Sequence, residues 1–590
     1  MRTVSTDVLV VGAGPAGLTA SALLAASGVR AIALSRHSGT APQPRASYTN
    51  QRTVEVFRDL GIEDRLRAVA TPGRTIGHNV MATSFTGQEI LRYQSYGVGR
   101  RLADHAMASP CETYNAPQHV IEPVLLQAAV ERGADVRFSH ELLTIEQTDQ
   151  AVVARIRDRD SGEEYLIQAA YAIAADGGRS RVAEQVGISF EGESALMHMV
   201  NAWLEVDLSE HVAYRPAGIY MILQPGGGSW VGSGSFVTVK PWNEWVLVRE
   251  YDPNECEPDL SDEAVAEVAR TLIGDPEIPV RVKGTSKWQV NNLVAKEYRR
   301  GRVFIVGDAA HRHSPSGGLG CNTSIQDSFN LVWKLALVVK GLAGEGLLDS
   351  YHEERQPVGK QIVDRAMDNL RNKSAVAETL GLRRGQSPEE GWASLRSLFS
   401  DETGAAERRD ALAAVRALQH YRSNAHGVEI GQRYTSQAVV DDGTPFPEPT
   451  HDPELYYHPT THPGAHLPHV WVEHERRRIS TLDLAGHGRF SLIVGIGGKP
   501  WAEAATSVSA ELGIELPVFA VGSRCDYDDV LGDWAALREI DDRGALLVRP
   551  DLHIAWRALT RPESVRDVLA DAVRRALVLD VLASSAPSAR

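Results

Sequence analysis

A glycine-rich turn between a strand and a helix near the N-terminus constrains the fold of this chain more than any other feature. Residues 7–11 are rich in Val and Leu and predict a buried strand, and the sequence Gly-Ala-Gly-Pro-Ala-Gly follows at 12–17. Residues 18–27 are rich in Ala and Leu and predict a helix that ends at Gly28, and residues 29–34 predict a second strand. The sequence therefore predicts a βαβ unit, the opening element of a parallel α/β sheet.

The spacing of these glycines is typical of a dinucleotide site. Gly12 makes the tight turn, Gly14 lets the backbone approach a pyrophosphate, and Gly17 allows the helix to pack closely on the strand. The helix N-terminus offers unpaired N–H groups and the positive end of its dipole to phosphates. We predict that Gly12, Gly14, Ala16 and Gly17 bind a dinucleotide.

The end of the second strand departs from the usual pattern. An acidic residue is expected there to hold the ribose hydroxyls, but the chain has Ser35 and Arg36. Ser35 could bond to a ribose hydroxyl, and Arg36 could lie over the adenine or near a phosphate. Alternatively, both are exposed loop residues.

Two later strands run into short acidic turns, Asp176-Gly177 and Gly307-Asp308. Carboxylates at the ends of strands suit hydrogen bonds to sugar or ribityl hydroxyls at the carboxyl edge of a sheet. A chain that returns three times to one large dinucleotide indicates FAD.

The segment after Asp308 is glycine-rich and leads into a helix predicted to begin near Thr323. Such a backbone can stabilise the negative charge that a reduced flavin carries at its N1 and C2 carbonyl edge. The alternative is an ordinary loop and helix cap. Among the glycines of this segment, Gly318 and Gly320 are candidate cofactor contacts.

Composition excludes several classes of partner. The net charge of −15 argues against nucleic acid and anionic membranes, and no apolar run is long enough to span a bilayer. The chain enters a strand within a few residues of its start, so we expect no signal peptide. The four cysteines lack CxxC or metal-ligand spacing, which predicts a cytoplasmic protein. His311 and His313 have no neighbouring ligand pair, so we expect no metal site.

A length of 590 residues predicts two or three domains. Strand and turn patterns predict an α/β fold with a mixed or antiparallel second sheet and a separate C-terminal α/β unit. The predicted divisions are a discontinuous Rossmann-like FAD-binding domain (1–74, 106–190 and 285–370), a domain built on the second sheet (75–105 and 191–284), a helical connection (371–430) and a C-terminal domain (431–590).

Longer stretches of the sequence carry a family resemblance. They are Pro44-Arg45, 50–55, Pro117-Gln118, 307–322, 326–327, 330–334, 463–469, 480–484 and 547–551. On these residues the chain resembles the group A flavoprotein monooxygenases, the single-component aromatic hydroxylases that use FAD. The resemblance covers nearly the whole chain and is strongest to phenol hydroxylase-like members that act on 2-hydroxybiphenyl and 2,4-dichlorophenol.

The resemblance implies an architecture and an assembly. It implies that the second-sheet domain (75–105 and 191–284) is the substrate-binding domain, whose sheet covers the flavin. It also implies that the C-terminal domain is thioredoxin-like but lacks redox cysteines, in agreement with the missing CxxC. Relatives form homo-oligomers, so we expect one here.

The resemblance also implies site residues. Arg45 and Gln118 match FAD contacts, Asp308 matches the ribityl ligand, and Pro315 matches the proline beside the oxygen-reacting carbon. The backbone at Cys321 and Asn322 matches the segment that faces flavin N1 and O2, and Asp176-Gly177 matches a motif linked to both FAD and the nicotinamide cofactor.

The implied reaction consumes NAD(P)H and O2. The reductant reduces FAD, O2 adds to give a flavin C4a-hydroperoxide, and the distal oxygen attacks an electron-rich ring of a small aromatic substrate. No second GxGxxG is present, which fits transient docking of the reductant and leaves NADH versus NADPH open.

Two positions depart from the family pattern. Ser47 stands where relatives carry a histidine that draws the phenol proton, and Asn115 stands where one relative has an aspartate. Both changes remove a titratable group. With Pro315, these two residues are our candidate catalytic positions. The predicted substrate pocket comprises Ser47, Tyr48, Asn115, Tyr220, Met221 and His313.

We hypothesise that the substrate ring is already electron-rich or acidic, as in a hydroxypyridine, a polyhydroxylated arene or a polyketide-derived aromatic. Alternatively, Tyr48, Tyr220 or His313 supplies the base. Other functions considered are a degradative chlorophenol or alkylphenol hydroxylase, a flavin dehydrogenase or oxidase, and a non-catalytic flavin-binding protein. A flavin halogenase is disfavoured because the chain has no Trp-x-Trp-x-x-Pro stretch.

Overall fold

The computed structural model describes residues 1–225, 233–372, 374–383 and 385–579. Within these residues the strands form three large sheets and one small sheet. Strands and helices are numbered along the chain. Among the described residues, no helix combines the length and apolar character that crossing a bilayer requires.

The first large sheet carries the predicted βαβ unit. Its strands are β1 (Thr3–Val11), β2 (Ala31–Leu34), β8 (Asp135–Arg137), β9 (His140–Gln147), β10 (Val152–Asp158), β11 (Glu164–Ala174), β17 (Arg299–Arg300) and β18 (Val303–Ile305). The order is β17-β18-β11-β1-β2-β8, with β10 and β9 added beside β11. Strand β1 is parallel to β2 and β11, and β11 is parallel to β18, so the turns that follow β1, β11 and β18 lie at one edge of the sheet. This confirms the Rossmann-like fold.

Helices cover both this sheet and its ligand edge. They are α1 (Pro15–Ala26), α2 (Gln51–Asp59), α3 (Glu63–Val69), α4 (Leu102–Ala108), α5 (Gln118–Glu131), α6 (Arg181–Gln185), α9 (Gly320–Val339) and α10 (Asp349–Arg371). Helix α1 begins at a proline, which is pre-organised for the first helical turn. Short 3-10 turns occupy Gly73–Thr75, Gly99–Arg101, Gly307–Ala309, Glu345–Leu348 and Thr481–Leu484.

The second large sheet is mixed, as predicted. Its strands are β5 (His78–Ala82), β6 (Glu89–Gln94), β12 (Phe190–Glu205), β13 (Ile219–Ile222), β14 (Gly234–Lys240), β15 (Glu244–Tyr251), β16 (Arg281–Ala295) and β19 (His311–Arg312), with helices α7 (Ser209–Val212) and α8 (Asp262–Ile273). The order is β19-β16-β12-β15-β14-β13-β5-β6. Strand β16 stays in this sheet to its end, so the predicted boundary at 284–285 falls inside a strand.

Before the C-terminal domain, the remaining elements are a small sheet and the helical connection. The small sheet has the order β3-β7-β4 and consists of β3 (Tyr48–Thr49), β4 (Thr71–Pro72) and β7 (Tyr114–Asn115). The connecting helices are α11 (Ser374–Thr379), α12 (Pro388–Leu398), α13 (Ala405–Arg422) and α14 (His426–Ile430). Apolar residues of α11 to α13 pack on Met81, Leu91 and Met221 of the second sheet.

The C-terminal domain forms the third large sheet, in the order β21-β20-β24-β23-β22-β25-β26. Its elements are β20 (Trp471–His474), β21 (Arg477–Ser480), β22 (Ser491–Val494), α15 (Lys499–Leu512), β23 (Val518–Gly522), β24 (Tyr527–Asp528), α16 (Asp533–Leu537), β25 (Ala545–Val548), β26 (Ile554–Ala558) and α17 (Val565–Ala576). A parallel β22–α15–β23 unit followed by antiparallel β25 and β26 and a helix is consistent with the thioredoxin-like prediction.

Candidate functional site

The turn between β1 and α1 has the shape that a pyrophosphate site needs. A Cβ added to Gly12 would lie 2.1 Å from the carbonyl oxygen of Ala175, and one added to Gly17 would lie 1.9 Å from that of Gly12. At Gly14 the nearest atom would be Oε1 of Glu122, at 3.8 Å. The outer glycines are therefore required by packing, whereas Gly14 borders open space where backbone can approach a phosphate.

Glu122 belongs to this site and was missed from the sequence. Its buried carboxylate accepts hydrogen bonds from the Ala41 N–H at 2.5 Å and from Nε2 of Gln118 at 2.6 Å. Burial raises the pKa of Glu122. The backbone of Gln118 in turn donates to the carbonyl of Arg45 at 2.8 Å. Glu122 lies one helical turn after Gln118, and that spacing was the only signal available.

Ser35 and Arg36 differ in environment. Ser35 is buried; its backbone bonds to Arg137 and His140, and its hydroxyl accepts from the His37 N–H at 3.2 Å. Arg36 is exposed, as is Arg45. The alternative of an exposed loop residue thus describes Arg36 but not Ser35.

The two acidic turns also differ. Asp176 accepts from the Ser180 hydroxyl at 2.6 Å and the Val182 N–H at 3.2 Å, so it supports the first turn of α6, whose N-cap residue is Ser180. Burial raises the pKa of Asp176. Gly177, at a φ of +80°, has open space beside it. Asp308 is exposed, and its carbonyl accepts from Nε of Arg312 at 3.1 Å, while no hydrogen bond from the described residues reaches its carboxylate. Its carboxylate is therefore available to a ligand.

Helix α9 begins at Gly320, three residues earlier than predicted. Cys321 and Asn322 thus lie in its first turn, where backbone N–H groups have no intrahelical acceptor. The Asn322 amide donates to the carbonyls of Tyr48 at 2.9 Å and Gly318 at 2.7 Å, and its oxygen accepts from the Asn50 N–H at 3.0 Å. Asn322 therefore ties the glycine loop, which begins at the exposed Pro315, to β3 and the start of α2.

Tyr48 packs directly on the glycine loop. A Cβ added to Gly318 would lie 3.1 Å from the Tyr48 side chain, and the ring stacks on Tyr96 at a centroid distance of 4.2 Å. The hydroxyl donates to Oε2 of Glu429 at 3.3 Å. Burial raises the pKa of Glu429 to about 7 and that of Tyr48 well above its usual value. No sequence pattern links Tyr48 to a residue 381 positions away.

Asn115 lies beside Tyr48 in the small sheet. It pairs with Tyr48, and its Nδ2 donates to the carbonyls of Thr238 at 3.0 Å and Val239 at 3.3 Å. Its Oδ1 is buried without a partner among the described residues. The half-buried Ser47 accepts from the Ala116 N–H through its carbonyl at 2.7 Å. The structure thus brings Ser47, Tyr48 and Asn115 together.

The other three candidate pocket residues, His313, Tyr220 and Met221, lie in different parts of the structure. His313 lies against the loop: its Nε2 is 3.3 Å from a Cβ added to Gly320, its Nδ1 bonds to the Ser314 carbonyl, and burial lowers its pKa to about 4. Tyr220 packs in an aromatic cluster with Phe85, Phe236 and Trp245, and its hydroxyl donates to the Arg215 carbonyl at 2.6 Å. Met221 points to the other face because side chains alternate along a strand. Tyr220 is therefore not brought to the other candidates.

Within the described residues, one group of side chains has the spacing of metal ligands: Asp441, Asp442 and His462. Asp442 is paired with Nε of Arg557 at 2.5 Å and accepts from Thr444. A cationic side chain already balances this carboxylate, so the group is explained without a metal ion.

Comparisons with known proteins agree over nearly the whole chain. Residues 5–366 match the FAD binding domain family, and residues 460–577 match the aromatic-ring hydroxylase C-terminal family. The 2,4-dichlorophenol 6-monooxygenase of Delftia acidovorans is 44% identical over 578 residues, covering 97% of this chain and 98% of that protein.

Two solved structures extend the comparison. The flavin-dependent monooxygenase PieE, in complex with FAD and substrate, is 46% identical with a TM-score of 0.94, over 98% of this chain and 100% of that one. Aklavinone-11 hydroxylase, in complex with FAD and aklavinone, is 32% identical with a TM-score of 0.78, over 97% and 99% of the two chains.

Proposed function

Since this chain belongs to the FAD-dependent aromatic-ring hydroxylases, we propose that it hydroxylates a ring that reaches the site already electron-rich or acidic. Candidate substrates are hydroxypyridines, polyhydroxylated arenes and polyketide-derived aromatics. The last class is supported by similarity to a putative polyketide hydroxylase of Streptomyces halstedii, which is 35% identical over 565 residues.

Membership of this family confirms the predicted resemblance, the FAD cofactor and the NAD(P)H-dependent monooxygenase activity. When bound, the flavin supplies the reducible ring that activates O2. The protein must then hold the substrate, exclude water and control any substrate proton. For FAD we propose the contacts named above at the glycine turn, Arg45, Gln118, Asp308 and the first turn of α9.

The observation that carries the proposed substrate class is the environment of Asn115. Its amide N–H groups satisfy two backbone carbonyls. A carboxylate in the same place would turn oxygen lone pairs towards those carbonyls, which is unfavourable in a buried site. The surroundings of position 115 therefore favour a neutral amide over a carboxylate. The neighbouring Ser47 cannot act as a base near neutral pH unless another group activates it.

The alternative bases considered from the sequence are weak ones. The hydroxyls of Tyr48 and Tyr220 donate to Glu429 and to the Arg215 carbonyl, and burial raises the pKa of both. Burial lowers the pKa of His313, so its imidazole is neutral and a poor proton acceptor. A substrate that needs little deprotonation suits such a site.

A substrate screen with purified holoenzyme tests this proposal. We expect hydroxypyridines and polyhydroxylated arenes to give hydroxylated product in step with NAD(P)H consumption, with label incorporated from 18O2. Simple alkylphenols, whose hydroxyl titrates near 10 like that of tyrosine, should mainly give uncoupled peroxide. Coupled turnover of alkylphenols together with uncoupled oxidation on every hydroxypyridine would overturn the proposal.

Substituting Ser47 tests the missing base directly. We expect Ser47→His to raise the coupled rate on 2-substituted phenols by at least about tenfold, because general base catalysis contributes roughly 10²–10⁴-fold. The Ser47→Ala control removes the hydroxyl without adding a base and should gain nothing. Equal rates for the two variants would show that deprotonation does not limit phenol turnover.

We further propose that the chain assembles as a homo-oligomer and works in the cytoplasm. The family resemblance supports the first statement, and cysteines that are all unpaired in the described structure support the second. Light scattering of the purified protein measures its mass and so tests the assembly.

A further inference from the structure

The turn that presents Asp308 is held by a carboxylate from another element. Oδ2 of Asp327, on α9, accepts the Gly307 N–H at 3.0 Å and Nε2 of His311 at 2.9 Å. Gly307 and His311 stand on either side of Asp308, so one oxygen fixes both ends of the turn. The Asp308 side chain between them is left exposed.

Asp327 is itself fixed by a buried cation. Nε of Arg355, on α10, donates to Oδ1 of Asp327 at 2.8 Å, and both side chains are fully buried. Arg355 also bonds to Gln432 and Tyr434, in the segment that leads to the C-terminal domain. Burial alone would raise the pKa of Asp327, but the Arg355 charge and the His311 and Gly307 bonds hold it below its usual value.

Close packing also restrains the Gly307–His311 turn. Gly307 has a φ of +61°, and a Cβ there would lie 2.7 Å from the Ser324 hydroxyl on α9 and 3.5 Å from Ala16 on α1. The turn is therefore wedged between the two helices whose N-termini border the cofactor site. A small loss of restraint at Gly307 would displace Asp308 relative to both.

We propose that Asp327 is a positioning residue for FAD, which holds the Gly307–His311 turn so that the Asp308 carboxylate faces the cofactor. This inference depends on the FAD assignment and is independent of the proposed substrate class. We expect loss of the Asp327 carboxylate to weaken and misorient flavin binding, in addition to the loss of stability that an unpaired buried Arg355 causes.

The substitution Asp327→Asn tests the proposal. Three N–H donors converge on this carboxylate, and an amide has one acceptor oxygen and turns its own N–H groups towards at least one of those donors. We expect the dissociation constant of FAD, measured by flavin fluorescence on apoprotein, to rise at least about tenfold. At saturating FAD the visible circular dichroism of the bound flavin should also change.

The matched control is Glu354→Gln on α10, which neutralises another buried carboxylate paired with Lys334 and Arg549. We expect it to lower thermal stability but to change FAD affinity less than twofold. If both variants weaken FAD equally, or Asp327→Asn leaves the affinity within twofold, the proposal is wrong.

A second pair of variants covers the case in which Asp327→Asn does not fold. His311→Gln keeps an N–H donor towards Asp327 and should retain FAD affinity within about twofold. His311→Leu removes the donor and should weaken FAD at least about fivefold in a folded protein. Equal FAD affinities for these two variants would overturn the proposal independently of any substrate test.

Discussion

At the residue scale, two buried polar side chains with few partners, Asn115 and Glu429, characterise the surroundings of Tyr48. The Asn115 nitrogen donates to backbone carbonyls, and its buried oxygen has no partner in the part of the chain that the structure describes. Glu429 is a buried carboxylate whose hydrogen-bond partner is a tyrosine rather than a cation. Both residues adjoin Tyr48 and through it the glycine loop, so local charge there is low.

Glu429 predicts a dependence of stability on pH. Its pKa is about 7 in the folded protein and close to the ordinary 4.5 in the unfolded chain. The folded state therefore keeps a proton that the unfolded state loses, and this contribution falls as pH rises from about 4.5 through 7. Glu429→Gln removes the titration while keeping an acceptor for Tyr48.

We expect wild type and Glu429→Gln to have similar stability at pH 5, and the variant to be the more stable by on the order of 2 kcal/mol at pH 8. Urea unfolding at several pH values measures this difference. Stability curves that run parallel from pH 5 to 8 would show that Glu429 is ionised throughout.

At the scale of elements, the site is built where helix N-termini and strand ends meet. The turn before α1 and the first turn of α9 face the same edge of the first sheet, and Gly307 packs between the two helices. The small β3-β7-β4 sheet then brings Ser47 and Asn115 beside the glycine loop. Each element positions one part of a large cofactor.

Alanine substitutions at two glycines of the first turn should distinguish the effect of packing on stability from the effect of the turn on FAD binding. Gly17→Ala places a Cβ 1.9 Å from a backbone carbonyl, so we expect severe destabilisation or failure to fold. Gly14→Ala meets no atom closer than 3.8 Å, so we expect nearly unchanged thermal stability without FAD but at least about tenfold weaker FAD binding. Thermal denaturation and fluorescence titration of the two apoproteins measure both effects. Unchanged FAD affinity in Gly14→Ala would place the pyrophosphate elsewhere.

At the scale of the whole molecule, the C-terminal domain is joined to the FAD domain through its interior. Residues of both domains share one hydrophobic core. A buried ionic network crosses the same interface: Arg549 pairs with Glu354 and Asp551, and Glu354 also pairs with Lys334 on α9. Burial lowers the pKa of Lys334 to about 8.

Removing one partner of this network should be costly. We expect Arg549→Met to lower the free energy of unfolding by about 3–5 kcal/mol, because it leaves Glu354 and Asp551 buried with too little positive charge. The control Arg566→Met breaks an exposed pair with Glu511 and should cost less than about 1 kcal/mol. Calorimetry measures both values, and a loss below about 1 kcal/mol in Arg549→Met would show that the domains are held by apolar contacts alone.

Much of this protein could be predicted because its signals are local. The βαβ unit and the acidic turns are contiguous patterns whose residues act on one ligand, so they indicated the cofactor and the Rossmann-like sheet. Errors came at boundaries: α9 starts at Gly320, and β16 runs through the boundary predicted at 284–285. Tyr220 was placed in the pocket from its strand alone, without knowledge of the face that each residue occupies.

The sequence by itself determined the cofactor, the family and the order of the elements, since contiguous motifs encode backbone conformations that FAD requires. Tertiary structure alone decided which buried polar groups meet: Asp327 with the Gly307 turn, Tyr48 with Glu429, and Glu354 with Arg549. A single Asp, Glu or Asn carries no mark of its partner in the sequence. The pairing arises only when packed elements exclude water and force each buried charge or amide to find a partner.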